Sequence, residues 1–312
     1  MSLAVSELVA NPNVSALVSD NGLMPRLKTP SPLMAKVDRM SWAGGFTLKS
    51  YGVKVGVRSN DSAALLRAQE HLPAGWQPGN GPMVDRVYSI LVGGPGKRAN
   101  SRRLSLLYGD DLRIARSRNL EDVFERFESD LRLFVAELAQ HRVFVHAGVV
   151  GWKGHAIVIP GRSYSGKTSL VAALVKAGAS YYSDEYAVFD RKGNVHPYSK
   201  PLDIRREGDF RQMRTSVSEL GGRTGKKPLP VGIVLMTRYK KGAAWRPRKM
   251  TPGKGVLELL FNTVSARRSP ENALSTLQQV TRKAIVLKGV RGDTAEVVDA
   301  LLERMDRIAS GD

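Results

Sequence analysis

The chain of 312 residues is predicted to be an α/β protein with two domains. Three observations lead to this fold class. Apolar segments of strand length alternate with helical segments after residue 141, a pattern typical of a parallel or mixed sheet covered by helices. A glycine-rich turn connects one of these strands to the helix that follows it. Before residue 141, several strand patterns precede one long amphipathic helix, which indicates a separate and smaller unit.

The sequence before residue 141 divides into an arm and a small domain. Residues 1–44 contain four prolines and show no sustained helical or strand period, so we expect a poorly ordered arm. Residues 45–140 are predicted to form an α/β or α+β domain with a hairpin in FTLKSYGVKVGV, a short helix in SAALLRAQEHL, and strands in VYSILVGG, RRLSLLYG and LRIAR. This domain ends in an amphipathic helix over residues 119–140, with Asn119 as its predicted N-cap.

Residues 141–312 are predicted to form the second domain. Its predicted strands are RVFVHAGVV, HAIVIP, YYSDEYAVF, GIVLMTRY and AIVL. Its predicted helices are SLVAALVKAG and the stretches 256–263, 272–282 and 294–308. Strands that alternate with helices in this way favour a mixed or parallel sheet.

The composition excludes several classes of protein. The chain is 42% hydrophobic and 25% charged, as in an ordinary globular protein. It has no cysteine, so disulfides, thiolate metal sites and cysteine nucleophiles are excluded. No segment approaches the ~18 apolar residues of a membrane span. The N-terminal segment lacks the features of a secretory signal, and we therefore expect a cytoplasmic protein without a membrane partner.

The formal net charge of +19 is unevenly distributed. Residues 200–254 contain fifteen Lys or Arg residues and four Asp or Glu residues. Such a positive field attracts nucleotides, an acidic protein face or nucleic acid. A solvated surface that keeps the protein soluble is an equally good interpretation.

The strand HAIVIP is followed by a match to the P-loop, or Walker A, pattern G-x-x-x-x-G-K-[ST] at every fixed position. The predicted nucleotide-binding residues are Gly161, Arg162, Ser163, Tyr164, Ser165, Gly166, Lys167, Thr168 and Ser169. The glycines allow the backbone amides to point inward around a phosphate, and the following helix adds its positive end. In this pattern Lys167 contacts the β- and γ-phosphates and Thr168 coordinates Mg²⁺, so ATP and Mg²⁺ are the predicted ligands.

Three further residues lie at positions in the sequence where P-loop enzymes place groups for phosphoryl transfer. Asp184 and Glu185 lie in YYSDEYAVF, after the P-loop helix, where carboxylates hold a metal or accept the proton of a hydroxyl. His146 lies on the strand before the P-loop strand, and a hairpin would place it beside the loop. A packed histidine with no catalytic role is an equally good interpretation of His146.

The segment HAGVVGWKGHAIVIPGRSYSGKTSLVAALVKAGASYYSDE resembles the core of the HPr kinase/phosphorylase family. The resemblance covers about 45 residues and implies a P-loop kinase fold of the HPr kinase and phosphoenolpyruvate carboxykinase type, which transfers phosphate from ATP to a protein serine. It places His146 near the transferred phosphate and aligns Asp184 and Glu185 with an Asp-Asp pair. Tyr164 and Ser165 replace a smaller pair that contains glycine, so the loop is expected to be stiffer or to carry a hydroxyl toward the phosphates.

The leading hypothesis is therefore an ATP- and Mg²⁺-dependent kinase that phosphorylates a hydroxyl, with Ser or Thr of a protein or peptide as the preferred acceptor. Asp184 is the predicted base, Glu185 and Thr168 the predicted metal ligands, and Lys200 and Arg205 candidate contacts to phosphate or acceptor. One alternative is a kinase for a nucleic acid or small molecule bound through residues 200–254. Another is a nucleotide sensor or assembly protein without catalysis. Whether the chain forms a homo-oligomer stays open.

Overall fold

The computed structural model describes residues 32–81, 83–94, 104–161, 165–205, 212–292 and 294–311. Contacts within the chain divide it into two compact units, Met1–Gln140 and His141–Asp312. Each unit contains helices and sheets, which confirms a mixed α/β protein. In the part of the chain that the structure describes, no helix is both long and apolar enough to cross a membrane.

The first unit is built on a sheet of six strands in the order β3-β1-β2-β4-β5-β6. Its elements are α1 (Pro32–Asp38), β1 (Gly44–Ser50), β2 (Val53–Ser59), α2 (Ser62–Glu70), β3 (Gln77–Pro78), β4 (Arg86–Leu91), β5 (Ser105–Gly109), β6 (Leu112–Ser117) and α3 (Leu120–Leu138). β1 and β2 pair antiparallel and form the predicted hairpin, whereas β2 and β4 pair in parallel.

The helix α3 packs against the sheet and forms part of the first unit's core. The side chain of Asn119 accepts a hydrogen bond from the amide of Glu121, which confirms the predicted N-cap. Five completely buried residues of α3 share one stripe and pack with strand residues: Val123, Phe124, Phe127, Leu131 and Val135. The predicted aromatic stripe is therefore core packing.

The predicted arm, residues 1–44, differs from the structure where the two can be compared. Residues 1–31 lie outside the described part of the chain. Residues 32–38 form the short helix α1, which the arm prediction did not include. Val37 of this helix is buried with Leu91 and Tyr108. This packing depends on residues more than fifty positions away, which a local pattern in the sequence does not reveal.

The second unit is a mixed sheet with helices on both faces. Its elements are β7 (Val143–Trp152), β8 (His155–Pro160), α4 (Lys167–Lys176), β9 (Ser180–Ser183), β10 (Tyr186–Phe189), β11 (Val195–His196), β12 (Leu202–Arg205), β13 (Gln212–Thr215), β14 (Val231–Tyr239), β15 (Arg248–Lys249), α5 (Pro252–Leu260), α6 (Pro270–Lys283), β16 (Ile285–Arg291) and α7 (Thr294–Ser310). The main path is β11-β10-β7-β8-β14-β16-β15, and β9 pairs with β7.

Strand direction in this sheet decides where a ligand site can form. β8, β14 and β16 are parallel to one another, whereas β7 runs antiparallel to β8. The carboxyl ends of the three parallel strands therefore lie along one edge. One core packs α5 and α6 against the sheet, and a second core packs α4 and α7. A parallel sheet covered by helices in this way binds ligands outside the carboxyl ends of its strands.

Candidate functional site

The Walker A pattern lies at the carboxyl end of β8. β8 ends at Pro160, and α4 begins at Lys167, so the motif connects a strand to a helix as the sequence predicts. The amide of Gly161 donates to the carbonyl of His146 at 3.1 Å. Gly166, the N-cap of α4, has φ of 82°, a left-handed conformation that glycine adopts without strain. Arg162, Ser163 and Tyr164 lie outside the described residues.

Ser165 places a hydroxyl against the start of the same loop. A Cβ added to Gly161 would lie 2.9 Å from Ser165 Oγ. This Oγ is buried and has no hydrogen-bond partner among the described residues. Buried hydroxyls in folded proteins are nearly always paired, so this hydroxyl is a candidate hydrogen-bond donor at the loop.

The helix α4 presents a cation and hydroxyls at its first turn. Lys167, Thr168 and Ser169 occupy the first three positions, where the backbone amides give the helix its positive end. Burial lowers the pKa of Lys167, and the negative charge of Asp184 partly offsets this shift. The amino group and the carboxylate are thus electrostatically coupled across the site.

Asp184 and Glu185 occupy a corner between β9 and β10. The sequence predicted one strand over YYSDEYAVF, and the structure has two, both paired with β7. The reason is local: the hydroxyl of Ser183 accepts hydrogen bonds from the amides of Glu185 and Tyr186, at 3.1 and 3.0 Å. These bonds form a side-chain turn that interrupts the strand and places the two carboxylates at the site.

Asp184 is a buried carboxylate, with 7% of its surface exposed. The hydroxyl of Tyr181 lies 3.0 Å from Asp184 Oδ1 and 3.0 Å from the carbonyl oxygen of Lys200. Burial raises the pKa of Asp184, although the charge of Lys200 and the hydrogen bond from Tyr181 act in the opposite direction. A carboxylate with a raised pKa is better able to accept a proton near neutral pH.

Lys200 pairs with the acidic corner. Its Nζ lies 2.9 Å from Asp203 Oδ2 and 3.8 Å from Glu185 Oε2. Burial lowers its pKa, but the charges of Glu185, Asp184 and Asp203 raise it more, so the net shift is upward. The predicted contact of Lys200 with phosphate or acceptor stays a prediction. Arg205 lies on β12, whose register pairs it with Gln212.

His146 lies on β7 at the edge of the loop. Its amide donates to the carbonyl of Asn262 at 2.8 Å, and its ring lies 4.7 Å from that of Tyr186. Partial desolvation, followed by the positive charge of Lys167, lowers the pKa of His146. The lowered pKa favours the neutral imidazole, which can donate or accept a hydrogen bond.

Arg291 and Tyr181 belong to this site but are not among the residues that the sequence predicts. Arg291, at the end of β16, is only 2% exposed, and its Nη2 donates to the carbonyl of Gly166 at 2.8 Å. In the sequence it is one arginine among many in a basic chain. Only the pairing of β16 with β14, and of β14 with β8, brings it to the loop.

The side chains at the site suit a metal ion that keeps several water ligands better than an ion bound by side chains alone. Within the described ranges, no cluster of three or more His, Asp or Glu residues could hold a metal by itself. Mg²⁺ needs no such cluster, because it usually binds one or two carboxylates together with waters and phosphate oxygens. The hydroxyl of Thr168 and the carboxylates of Asp184 and Glu185 fit this mode of binding.

Comparisons with known proteins give a distant likeness to solved structures. No family model matches the chain, and no curated protein matches it. A solved structure described as the Hpr(Ser) kinase/phosphatase from Coxiella burnetii is similar to 54% of this chain and 99% of its own, with 13% identity and a TM-score of 0.32. These values indicate a distant structural relationship only.

Proposed function

We propose that this chain is an ATP- and Mg²⁺-dependent phosphotransferase whose acceptor is the hydroxyl of a serine or threonine in a protein or peptide. The observation that carries the proposal is the buried carboxylate of Asp184, electrostatically coupled to Lys167 at the end of a complete Walker A pattern. Nucleotide binding explains the pattern, and the added carboxylate supplies what transfer to a hydroxyl requires.

The loop and the start of α4 bind the phosphates. The amides around Gly166 and the positive end of the helix stabilise negative charge on the phosphate oxygens. The ammonium of Lys167 adds a full charge, and the hydroxyl of Ser165, which has no partner among the described residues, donates a further hydrogen bond. Together these groups orient the terminal phosphoryl group and stabilise the charge that it carries during transfer.

Asp184 accepts the proton of the acceptor. As the hydroxyl oxygen forms its bond to phosphorus, the bond between phosphorus and the bridging oxygen of ATP breaks, and the hydroxyl proton moves to a carboxylate oxygen of Asp184. The electron pair of the broken bond stays on the bridging oxygen, which leaves as part of ADP. The raised pKa of Asp184 favours its role as the base, and the neutral imidazole of His146 positions the acceptor by a hydrogen bond.

Thr168, Glu185 and Asp184 would hold Mg²⁺. When bound, the ion would neutralise negative charge on the phosphates. Glu185 Oε2 forms an ion pair with Lys200 Nζ at 3.8 Å. This ion pair keeps the carboxylate of Glu185 between β9 and β10 and balances part of its negative charge. We therefore assign the proton to Asp184 and the main metal contact to Glu185.

One observation favours a different acceptor. Between residues 200 and 254 the described basic side chains that are exposed are Arg214, Arg223, Lys226, Lys227, Arg238, Lys240, Lys241, Arg246, Arg248, Lys249 and Lys254. A surface of this charge attracts nucleic acid as well as acidic protein. The second candidate is a kinase for a nucleic acid or a small molecule, with the same chemistry at Asp184.

Calorimetric titration with Mg-ATP tests the nucleotide site. We expect Lys167→Ala to weaken binding by about tenfold or more, because a hydrogen bond to a charged group contributes ~1.5–3 kcal/mol. Lys176→Ala is the matched control, since Lys176 lies on the last turn of the same helix and is exposed. Equal affinity of the Lys167 variant and the wild type would contradict the proposal.

A further inference from the structure

The edge that carries the Walker A pattern also carries an exposed tyrosine. β14 ends at Tyr239 and β16 at Arg291, and these two residues are register partners in the parallel pair. β14 lies directly beside β8, whose carboxyl end begins the loop. A nucleotide that extends from the loop along this edge reaches the ends of these neighbouring strands.

Tyr239 lies against the last glycine of the loop. A Cβ added to Gly166 would lie 3.8 Å from the Cβ of Tyr239. The tyrosine is 56% exposed, although it ends a strand whose first six residues are buried. An aromatic ring beside a phosphate site, with a free surface, has the position needed to stack on the base of a bound nucleotide.

Arg291 fixes the position of this ring. Its guanidinium carbon lies 5.5 Å from the centre of the Tyr239 ring, which is within the range of a cation–π interaction. The same guanidinium donates to the carbonyl of Gly166, so one buried side chain connects the tyrosine to the loop. Its Nε is buried and has no hydrogen-bond partner among the described residues. A ring held in this way loses little conformational freedom when a ligand stacks on it.

The neighbouring charges favour a nucleotide over an uncharged aromatic ligand. Arg238 and Lys240 flank Tyr239 and are exposed. The amide of Lys240 donates to the carbonyl of Arg291 at 2.9 Å, so the chain after β14 stays beside the end of β16. Exposed positive charges just before and just after Tyr239 in the chain raise the local potential, which attracts the anionic part of a nucleotide.

We propose that Tyr239, held by Arg291, is the stacking platform for the heterocyclic base of the nucleotide whose phosphates bind at Gly166 and the first turn of α4. This inference rests on the proposed function and adds the base subsite to it. Stacking uses the flat face that every base has, so the platform increases affinity for nucleotides without selecting one base strongly.

Two ligands separate the base subsite from the phosphate site: Mg-ATP and Mg-tripolyphosphate, which has no base. We expect Tyr239→Ala to weaken Mg-ATP binding by about tenfold and to leave Mg-tripolyphosphate binding unchanged. Tyr239→Phe keeps the ring and should bind both ligands as the wild type does. Lys167→Ala should weaken both ligands. Calorimetric titration of each variant gives the dissociation constants.

Phe261→Ala is the matched control, because it removes an aromatic ring that is 80% exposed elsewhere in the same unit. It should change neither affinity. The inference is overturned when Tyr239→Ala binds Mg-ATP as tightly as the wild type, or when it loses affinity for tripolyphosphate to the same degree as for ATP. A wild-type protein that binds neither ligand contradicts the proposed function itself, so the two failures are distinguishable.

Discussion

Asp184 illustrates, at the scale of one residue, how the site is built at a cost in stability. A carboxylate that is almost completely buried loses hydration, and its hydrogen bond from Tyr181 and the charge of Lys200 recover only part of this loss. Its pKa therefore stays above the ordinary value. Carboxylates with perturbed pKa values cluster at functional sites, which supports the catalytic role that we propose for Asp184.

The raised pKa of Asp184 predicts the direction of a stability change. The folded state holds the proton of Asp184 more tightly than the unfolded state does. Protonated Asp184 therefore stabilises the folded state fully below the ordinary pKa of 3.8. This stabilisation is lost as the pH rises through the pKa of Asp184 in the folded protein. Asp184→Asn, which mimics the protonated form, should raise the free energy of unfolding at neutral pH by an amount on the order of 1 kcal/mol. The difference should shrink in acid. Urea titrations over a pH series measure it.

Asp190 provides a control for this experiment, because its pKa is shifted in the opposite direction. Burial raises its pKa, but hydrogen bonds from His196 and Asn194 lower it more, so the net shift is downward. Asp190→Asn should therefore destabilise the protein at neutral pH, and its effect should also fade in acid. An Asp184→Asn variant that is less stable than the wild type at neutral pH would show that the carboxylate stabilises the fold.

At the scale of elements, β7 brings the parts of the site together. The carbonyl of His146 accepts the amide of Gly161, and the amide of Ala147 donates to the carbonyl of Glu185 at 3.1 Å. At Gly148 the strand lies directly under α4, since an added Cβ would lie 2.5 Å from the side chain of Val171 and 3.9 Å from that of Lys167. Three consecutive residues of one strand thus position the loop, the acidic corner and the helix.

This arrangement predicts that Gly148→Ala changes both stability and binding. The added methyl group pushes α4 from the sheet, and overpacking of this kind costs about 1–3 kcal/mol. Because Lys167 begins the displaced helix, Mg-ATP affinity should fall as well. Gly253→Ala is the control, since a Cβ there meets nothing within 4 Å. Chemical denaturation measures the change in stability, and calorimetry measures the change in affinity. A Gly148→Ala protein that is destabilised but binds ATP with unchanged affinity would show that the packing of α4 does not position the nucleotide site.

Elements with a strong local pattern could be predicted from the sequence, and those determined by distant contacts could not. The stripe of α3, its Asn119 cap and the strand–loop–helix setting of the Walker A pattern are all readable from neighbouring residues. The break between β9 and β10 depends on one hydroxyl, that of Ser183. The place of Arg291 depends on the order of the strands in the sheet, which periodicity does not encode.

At the scale of the whole molecule, the net charge of +19 bears on the acceptor rather than on the chemistry. A positive field raises the rate at which any polyanion reaches the protein, and it does not distinguish an acidic protein from a nucleic acid. The chemistry that we propose for Lys167 and Asp184 is the same for either acceptor. The acceptor therefore has to be identified by the chemical nature of the product.

The most direct test is transfer of labelled γ-phosphate from ATP into a lysate of the source organism, with wild type and Asp184→Asn compared at equal ATP occupancy. Protease or nuclease treatment of each product identifies the labelled material. We predict that the wild type labels material that protease removes and nuclease does not, and that Asp184→Asn binds Mg-ATP but labels nothing above background. Equal labelling by the two proteins, or a wild type that binds ATP and labels nothing, would contradict the assignment of Asp184 as the base of a phosphotransferase.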